Sequence, residues 1–306
     1  MNSASTDQRQ RAVSVRELVK RFGSRVVLHH LSFDVALGET VVLWGPNGAG
    51  KTTVLRCVLG VIPFEGTIQV LGHDVQRQGK AARQRLGYVP QELSLHGEQT
   101  VSETVAFYAQ LRRIPVADAL RLLDRWQLGE ATRQSVRSLS GGMKQKLALV
   151  VALLADPPIL LLDEPTSNLD LRARRELGTM LERLKQEGKT IIFCSHRASE
   201  VWKLADRVIA LDQGEKVCEG TPEQLRDQLP QLMNLGVSVA PTEKARALRI
   251  LEERGFRVHP NGTYLWVEIP ASRKIEPLQA LTEARIAVLD FELDSSQSER
   301  AAQEGS

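Results

Sequence analysis

Gly45 to Thr53 reads GPNGAGKTT, and the run before it, Thr40 to Trp44, is apolar and of strand length. A glycine-rich turn between a buried strand and a helix start tightly limits how a chain can fold. The pattern G-x-x-x-x-G-K-[ST] over Gly45 to Thr52 stands in that context. Its glycines let the backbone bend until successive N–H groups converge, and the N-terminus of a helix beginning near Lys51 adds about half a unit of positive charge. Gly45, Pro46, Asn47, Gly48, Ala49 and Gly50 therefore read as a phosphate cradle. Lys51 is expected to reach the β- and γ-phosphates of a nucleotide, Thr52 to bind Mg²⁺, and Thr53 to support the α-phosphate.

The rest of the chain fits around that turn. Val13 to Val19 and Val26 to Val35 read as strands joined by the turn RFGSR. Two further buried-type strands, ILLLD (Ile159 to Asp163) and TIIFC (Thr190 to Cys194), flank a charged helix from Leu171 to Gln186, a rhythm that implies a parallel sheet covered on both faces. Ahead of these two strands, from about 95 to 155, the pattern is helical: TVSE at Thr100 to Glu103 is a capping box, and Val116 to Leu128 has helical spacing. Past Leu229 a short linker leads to a strand VSVA, a helix from Thr242 to Arg254, a hairpin turning at Asn261-Gly262, a helix near Ile275 to Ala284, and a last strand IAVLDFEL. That β-α-β-β-α-β order predicts a small ferredoxin-like unit. The expected organisation is a polar, disordered tail over 1–12, a nucleotide-binding domain over 13–229, a small α+β domain over 237–294, and a second disordered tail over 295–306.

Composition excludes some alternatives. With 40 basic and 37 acidic residues the net charge is +3, so no basic stripe of the kind nucleic-acid binders use is evident. Three widely spaced cysteines, Cys57, Cys194 and Cys218, make neither a disulfide framework nor a zinc site and fit a reducing cytosol. The first twelve residues hold no apolar stretch of signal type, and the longest apolar run, Leu147 to Ala155, falls well short of the ~20 residues a spanning helix needs.

ILLLDEP delivers Asp163 to the C-terminal tip of a strand, where ligands bind in open α/β sheets, with Glu164 next to it. Asp163 is expected to hold a metal ion and Glu164 to polarise a water attacking the γ-phosphate. LSGGMKQK, from Leu139 to Lys146, offers a second helix start with Ser140, Gly141 and Gly142. GPNGAGKTT, Gln91 after LGYVP, LSGGMKQK, LLLDEP, SNLD (Ser167 to Asp170) and CSH ending at His196 follow in this order. Together they resemble the ATP-binding cassette (ABC) ATPases, over roughly Val13 to Leu229.

The resemblance implies a P-loop NTPase core with an antiparallel β subdomain and a helical insert. It implies that one chain carries two half-sites, ATP being clasped in a dimer between the cradle of one subunit and Ser140, Gly141 and Gly142 of the other. By position, Phe22 would stack on adenine, Gln91 would sense Mg²⁺ and the γ-phosphate, His196 would contact the γ-phosphate, and Asp170 would cross the dimer interface. Asn168 departs from the small residue more usual there. A cassette of this kind without membrane helices implies a separate transmembrane permease, docked near Gln91 to Gln99 with Leu93, Leu95 and His96 as candidate contacts, and a place on the cytoplasmic face of the membrane. The small C-terminal unit resembles the tail of ATPases serving ABC-2-type exporters. The alternative function is a soluble ATPase of the same superfamily acting on a ribosome or nucleic acid.

Overall fold

The computed structural model describes residues 10–167, 169–195, 203–225, 232–261, 264–270, 273 and 275–294. His196, Asn168, Gly262 and the two tails expected to be disordered lie outside them, save that the chain is already strand by Arg11. Strands β1 (Arg11–Phe22) and β2 (Arg25–Ala36) form a long hairpin around Gly23, whose φ of +58° suits glycine. Arg11 pairs with Ala36 and Ala12 is fully buried, so the N-terminal tail stops short of residue 12. The strand β4 (Glu65–Val70) pairs with β1 and the short β5 (His73–Asp74) with β4, giving an antiparallel sheet in the order β2-β1-β4-β5.

The second sheet comprises β3 (Thr40–Trp44), β6 (Leu86–Val89), β7 (Ile159–Asp163), β8 (Thr190–Ser195), β9 (Arg207–Asp212) and β10 (Glu215–Gly220). Its order is β10-β9-β3-β8-β7-β6; all neighbours are parallel except β10, which returns antiparallel beside β9. Every residue of β7 and β8 is buried, as a parallel strand covered on both faces requires. The crossovers carry α1 (Lys51–Val58), α2 (Gly79–Gln84), and α6 (Leu171–Gln186), the last with the bounds the sequence predicts.

Between β6 and β7 lie α3 (Val101–Leu111), α4 (Val116–Arg125) and α5 (Gly141–Leu153). The capping box forms: the Glu103 amide donates to Thr100 Oγ1 at 3.2 Å, and the Thr100 amide to Glu103 Oε2 at 2.8 Å. Helix α4 ends at Arg125 rather than at Leu128. Gln127 takes a left-handed φ of +60° and the Leu128 amide returns to the Leu123 carbonyl at 2.7 Å, a helix-ending turn that buries both Trp126 and Leu128.

The described residues form two compact units, one running to residue 195 and including 204–221, the other comprising residue 203 and those from 222 onward. The second unit contains β11 (Leu232–Val239), α7 (Lys244–Glu253), β12 (Arg257–Asn261), β13 (Tyr264–Pro270), α8 (Glu276–Glu283) and β14 (Val288–Asp294). Its sheet runs β12-β13-β11-β14 with every pair antiparallel, so each β-α-β crossover is split by an inserted strand. Leu235, Val237, Leu251, Leu265, Val267 and Leu281 give it a core of its own. A 3₁₀ turn over Pro241–Glu243 takes the place of the first residues expected in α7. Among the described residues, no helix is long and apolar enough to cross a membrane.

Candidate nucleotide site

Strand β3 is the middle of the large sheet and ends directly in the glycine-rich turn, so the sheet interior aims Gly45 to Gly50 at one point on its C-terminal edge. The turn is glycine-dependent for steric reasons. A Cβ on Gly45 would stand 2.1 Å from the Leu211 carbonyl oxygen, and one on Gly50, at φ +97°, would stand 2.6 Å from Leu28 Cδ2. Gly50 precedes α1, whose first-turn amides have no intrahelical carbonyls and point out of the helix start. A backbone that no side chain obstructs, closed by a helix N-terminus, is what a polyphosphate needs.

The turn is braced from behind. The amide of Gly214, in the β9–β10 turn, donates to the Ala49 carbonyl at 3.2 Å, while the His29 amide donates to the Gly214 carbonyl at 3.0 Å. Asp212 to Gly214 is readable in the sequence as a hairpin turn, but nothing in it signals that this turn supports residues so far upstream.

Three predicted residues meet at the mouth of the cradle. Lys51, nearly buried, donates from Nζ to the Gly45 carbonyl at 2.7 Å and the Pro46 carbonyl at 3.0 Å, and stands 3.6 Å from Glu164 Oε1. Gln91, after β6, donates from Nε2 to Glu164 Oε2 at 3.3 Å. Glu164 follows β7 with a left-handed φ of +46°, a conformation costing a side chain on the order of 1–2 kcal/mol. Backbone strain of this kind gathers where a side chain must be aimed.

Thr52 donates from Oγ1 to Asp163 Oδ1 at 2.9 Å. Burial raises the Asp163 carboxyl above its ordinary range; the Thr52 hydroxyl and the Cys194 thiol, both bonded to it, pull the other way. Cys194 pairs with Asp163 across β7 and β8, and complete burial lifts its thiol well above the usual value. Tyr88 on β6 is also pushed up to about 12 by burial and by the charge of Asp163. Neither Cys194 nor Tyr88 is distinguished by the sequence, because only strand register brings them here. A hydroxyl and a carboxylate at this spacing, with a polyphosphate beside them, match a cation that takes few protein oxygens.

The remaining predicted residues occupy separate places. Ser140 is the exposed N-cap of α5 and accepts from the Met143 amide at 3.3 Å. A Cβ on Gly142 would come 2.7 Å from Ala173 Cβ of α6, so this glycine also permits close packing within the chain. Asp170 caps α6 by accepting from the Ala173 amide at 2.8 Å. Phe22, at the end of β1, is half-exposed, with Lys20 Nζ 4.5 Å from its ring centroid. After Gln91, Leu93 and Leu95 are half-buried, and the exposed His96 sets its ring 6.5 Å from Phe107 in an edge arrangement.

A mostly parallel sheet whose central strand runs into this turn, with Lys51 and Asp163 at its edge, defines a P-loop nucleoside triphosphatase. A family model described as ABC transporter matches residues 28–167. The chain is 40% identical over 232 residues to Nod factor export ATP-binding protein I of Sinorhizobium fredii, which covers 74% of this chain and 68% of that protein. Among solved structures, one titled "Structure of ATP binding subunit of ABC transporter" matches with a TM-score of 0.64 at 28% identity, over 71% of this chain and 92% of the other. A bacterial Atm1-family ABC exporter with ATP bound matches with the same TM-score at 29% identity, over 72% of this chain and 40% of the other. The chain belongs to the ABC transporter ATP-binding family, whose members are ATPases coupled to transport, dimerise and work with transmembrane partners. The alternative of a soluble ATPase acting on ribosome or nucleic acid is not favoured by these relatives.

Proposed function

We propose that this chain hydrolyses ATP as a homodimer on the cytoplasmic face of a membrane and drives an exporter of the ABC-2 type through a separate permease. The observation that carries the hydrolytic reading is the convergence of Lys51, Gln91 and Glu164, with Thr52 and Asp163 beside them. Gly45 to Lys51 would bind the polyphosphate through the backbone amides of all but Pro46, Thr53 would support the α-phosphate, and the Lys51 ammonium would meet the β- and γ-phosphate oxygens. Thr52, Asp163 and Gln91 would hold Mg²⁺, which when bound neutralises charge on those phosphates. Glu164, aimed by its left-handed backbone, would accept a proton from the attacking water as the new O–P bond forms and the bond from the γ-phosphorus to the β–γ bridging oxygen breaks, with ADP as the leaving group. Phe22 would stack on adenine, and His196 would touch the γ-phosphate.

The second half-site would come from the partner subunit. Ser140 at the start of α5, with Gly141 and Gly142 in its first turn, offers amide donors that would close on the γ-phosphate held by the other copy, each charge-assisted bond being worth roughly 1.5–3 kcal/mol. Asp170 would face that interface. Loss of the γ-phosphate would weaken the seam and part the subunits. The permease would dock by Leu93, Leu95 and His96, and the C-terminal unit, read as a ferredoxin-like tail, would stabilise or regulate the dimer. Export is supported by the printed function of the Sinorhizobium fredii relative.

The test is Glu164→Gln. Removal of a general base lowers kcat by about 10²–10⁴-fold. ATP binding should survive, and size-exclusion with light scattering should find an ATP-trapped dimer. Undiminished turnover in this variant, or a wild-type enzyme fully active as a monomer, would refute the scheme.

A further inference from the structure

Lys20 is only 6% exposed and has no part in the scheme above. It lies two residues before Phe22 on β1, donates from Nζ to the Pro63 carbonyl at 2.7 Å, and places that ammonium 4.5 Å from the centroid of the Phe22 ring. An ammonium carries three donors and is costly to withdraw from water unless they are answered. Pro63 takes one; the negative face of the ring answers the charge from another side. Phe22 is 49% exposed. The buried cation therefore sits over one face of the ring, while about half of the residue stays open to solvent.

We infer that Lys20 is a positioning residue of the base platform: its ammonium pins and polarises the Phe22 ring from beneath so that the opposite face receives the purine of ATP. This rests on the reading of Phe22 as the base-stacking residue. Two effects follow from the geometry. A half-exposed ring held by a buried cation is already ordered, so less rotamer freedom is lost when a base arrives. The cation also draws π density toward itself, which reduces repulsion between the outer ring face and the electron-rich face of a purine. The arrangement amounts to a three-layer stack, ammonium, phenyl, purine, in which the protein supplies the first two layers.

The experiment compares ATP with inorganic tripolyphosphate, which has no base. Lys20→Met keeps the length of the side chain and removes the charge. It should raise KM for ATP about three- to tenfold with kcat within about twofold, and leave the inhibition constant of tripolyphosphate unchanged. Phe22→Ala should also raise KM for ATP, and Lys20→Met added to Phe22→Ala should cost nothing further, because the lysine acts through the ring. Lys20→Arg, which keeps a cation able to make both contacts, should hold KM within about twofold of wild type and serves if Lys20→Met does not fold. Additive effects in the double variant, an equal loss for tripolyphosphate, or a Lys20→Arg as impaired as Phe22→Ala would overturn the inference. A Phe22→Ala enzyme with unaltered KM would remove the stacking reading itself, and so be told apart from a failure of Lys20 alone.

Discussion

Single positions in the cradle differ sharply in what they tolerate. At Gly45 an added methyl meets the Leu211 carbonyl oxygen at 2.1 Å, and backbone, unlike a flexible side chain, has nowhere to go. Gly48, at φ +84°, has open space around its missing Cβ, so a substitution there bears only the left-handed backbone cost of roughly 1–2 kcal/mol. Gly45→Ala is thus expected to lower kcat/KM by about 10²-fold, the scale of a 1 Å misplacement, whereas Gly48→Ala should fold and keep most of its activity. Steady-state kinetics on both decides it; equal effects would mean that the clash at Leu211 is relieved without moving the loop. The residue types of the cradle are legible in the sequence because phosphate binding is local, a property of consecutive amides. Cys194, Tyr88, Leu211 and Gly214 are not, since each reaches the site only through strand pairing or a turn formed far along the chain.

Elements were legible to the degree that their signals are local. Helix α6 matches its expected bounds because Asp170 caps it and the chain turns at Gly188, while β7 and β8 announce themselves as unbroken apolar runs. The end of α4 was missed because helical spacing continues through Leu128, and only the burial of Trp126 explains the earlier stop. The contact between α5 and α6 carries a pH dependence. Lys146 on α5 donates to Glu176 on α6 at 2.8 Å and Arg172 donates to the same carboxylate at 3.0 Å, holding it below the usual carboxylate range. A depressed carboxyl stabilises the fold above its unfolded pKa, and that stabilisation is lost as pH falls through the folded value. Glu176→Gln should therefore lower the melting temperature near neutral pH, by an amount corresponding to less than about 1 kcal/mol because solvent screens the half-buried carboxylate, and the gap should close in acid. Thermal melts of both proteins across pH test this; a gap that widens in acid would contradict it.

At the scale of the molecule, the two units have separate cores, and all the positions proposed for nucleotide contact lie outside the C-terminal one. A chain ending at residue 225 should fold, bind ATP and keep its basal hydrolysis; circular dichroism and an ATPase assay check this, and an unfolded product would show that the cores depend on each other. Turnover per chain should rise with protein concentration until dimers saturate, since the proposed scheme needs two copies for each nucleotide. A rate per chain independent of dilution would oppose it.

The cradle near residue 50 leans on a turn near residue 214, and its strand, β3, lies between β8 and β9, both made more than a hundred residues later. During translation, then, the glycine-rich loop leaves the ribosome long before anything exists to hold it. A nascent polypeptide halted ahead of Gly214 would display the whole motif yet have no rigid pocket for ATP. Synthesis itself delays the moment at which this protein can spend nucleotide until β8, β9 and the turn at Gly214 have all been made.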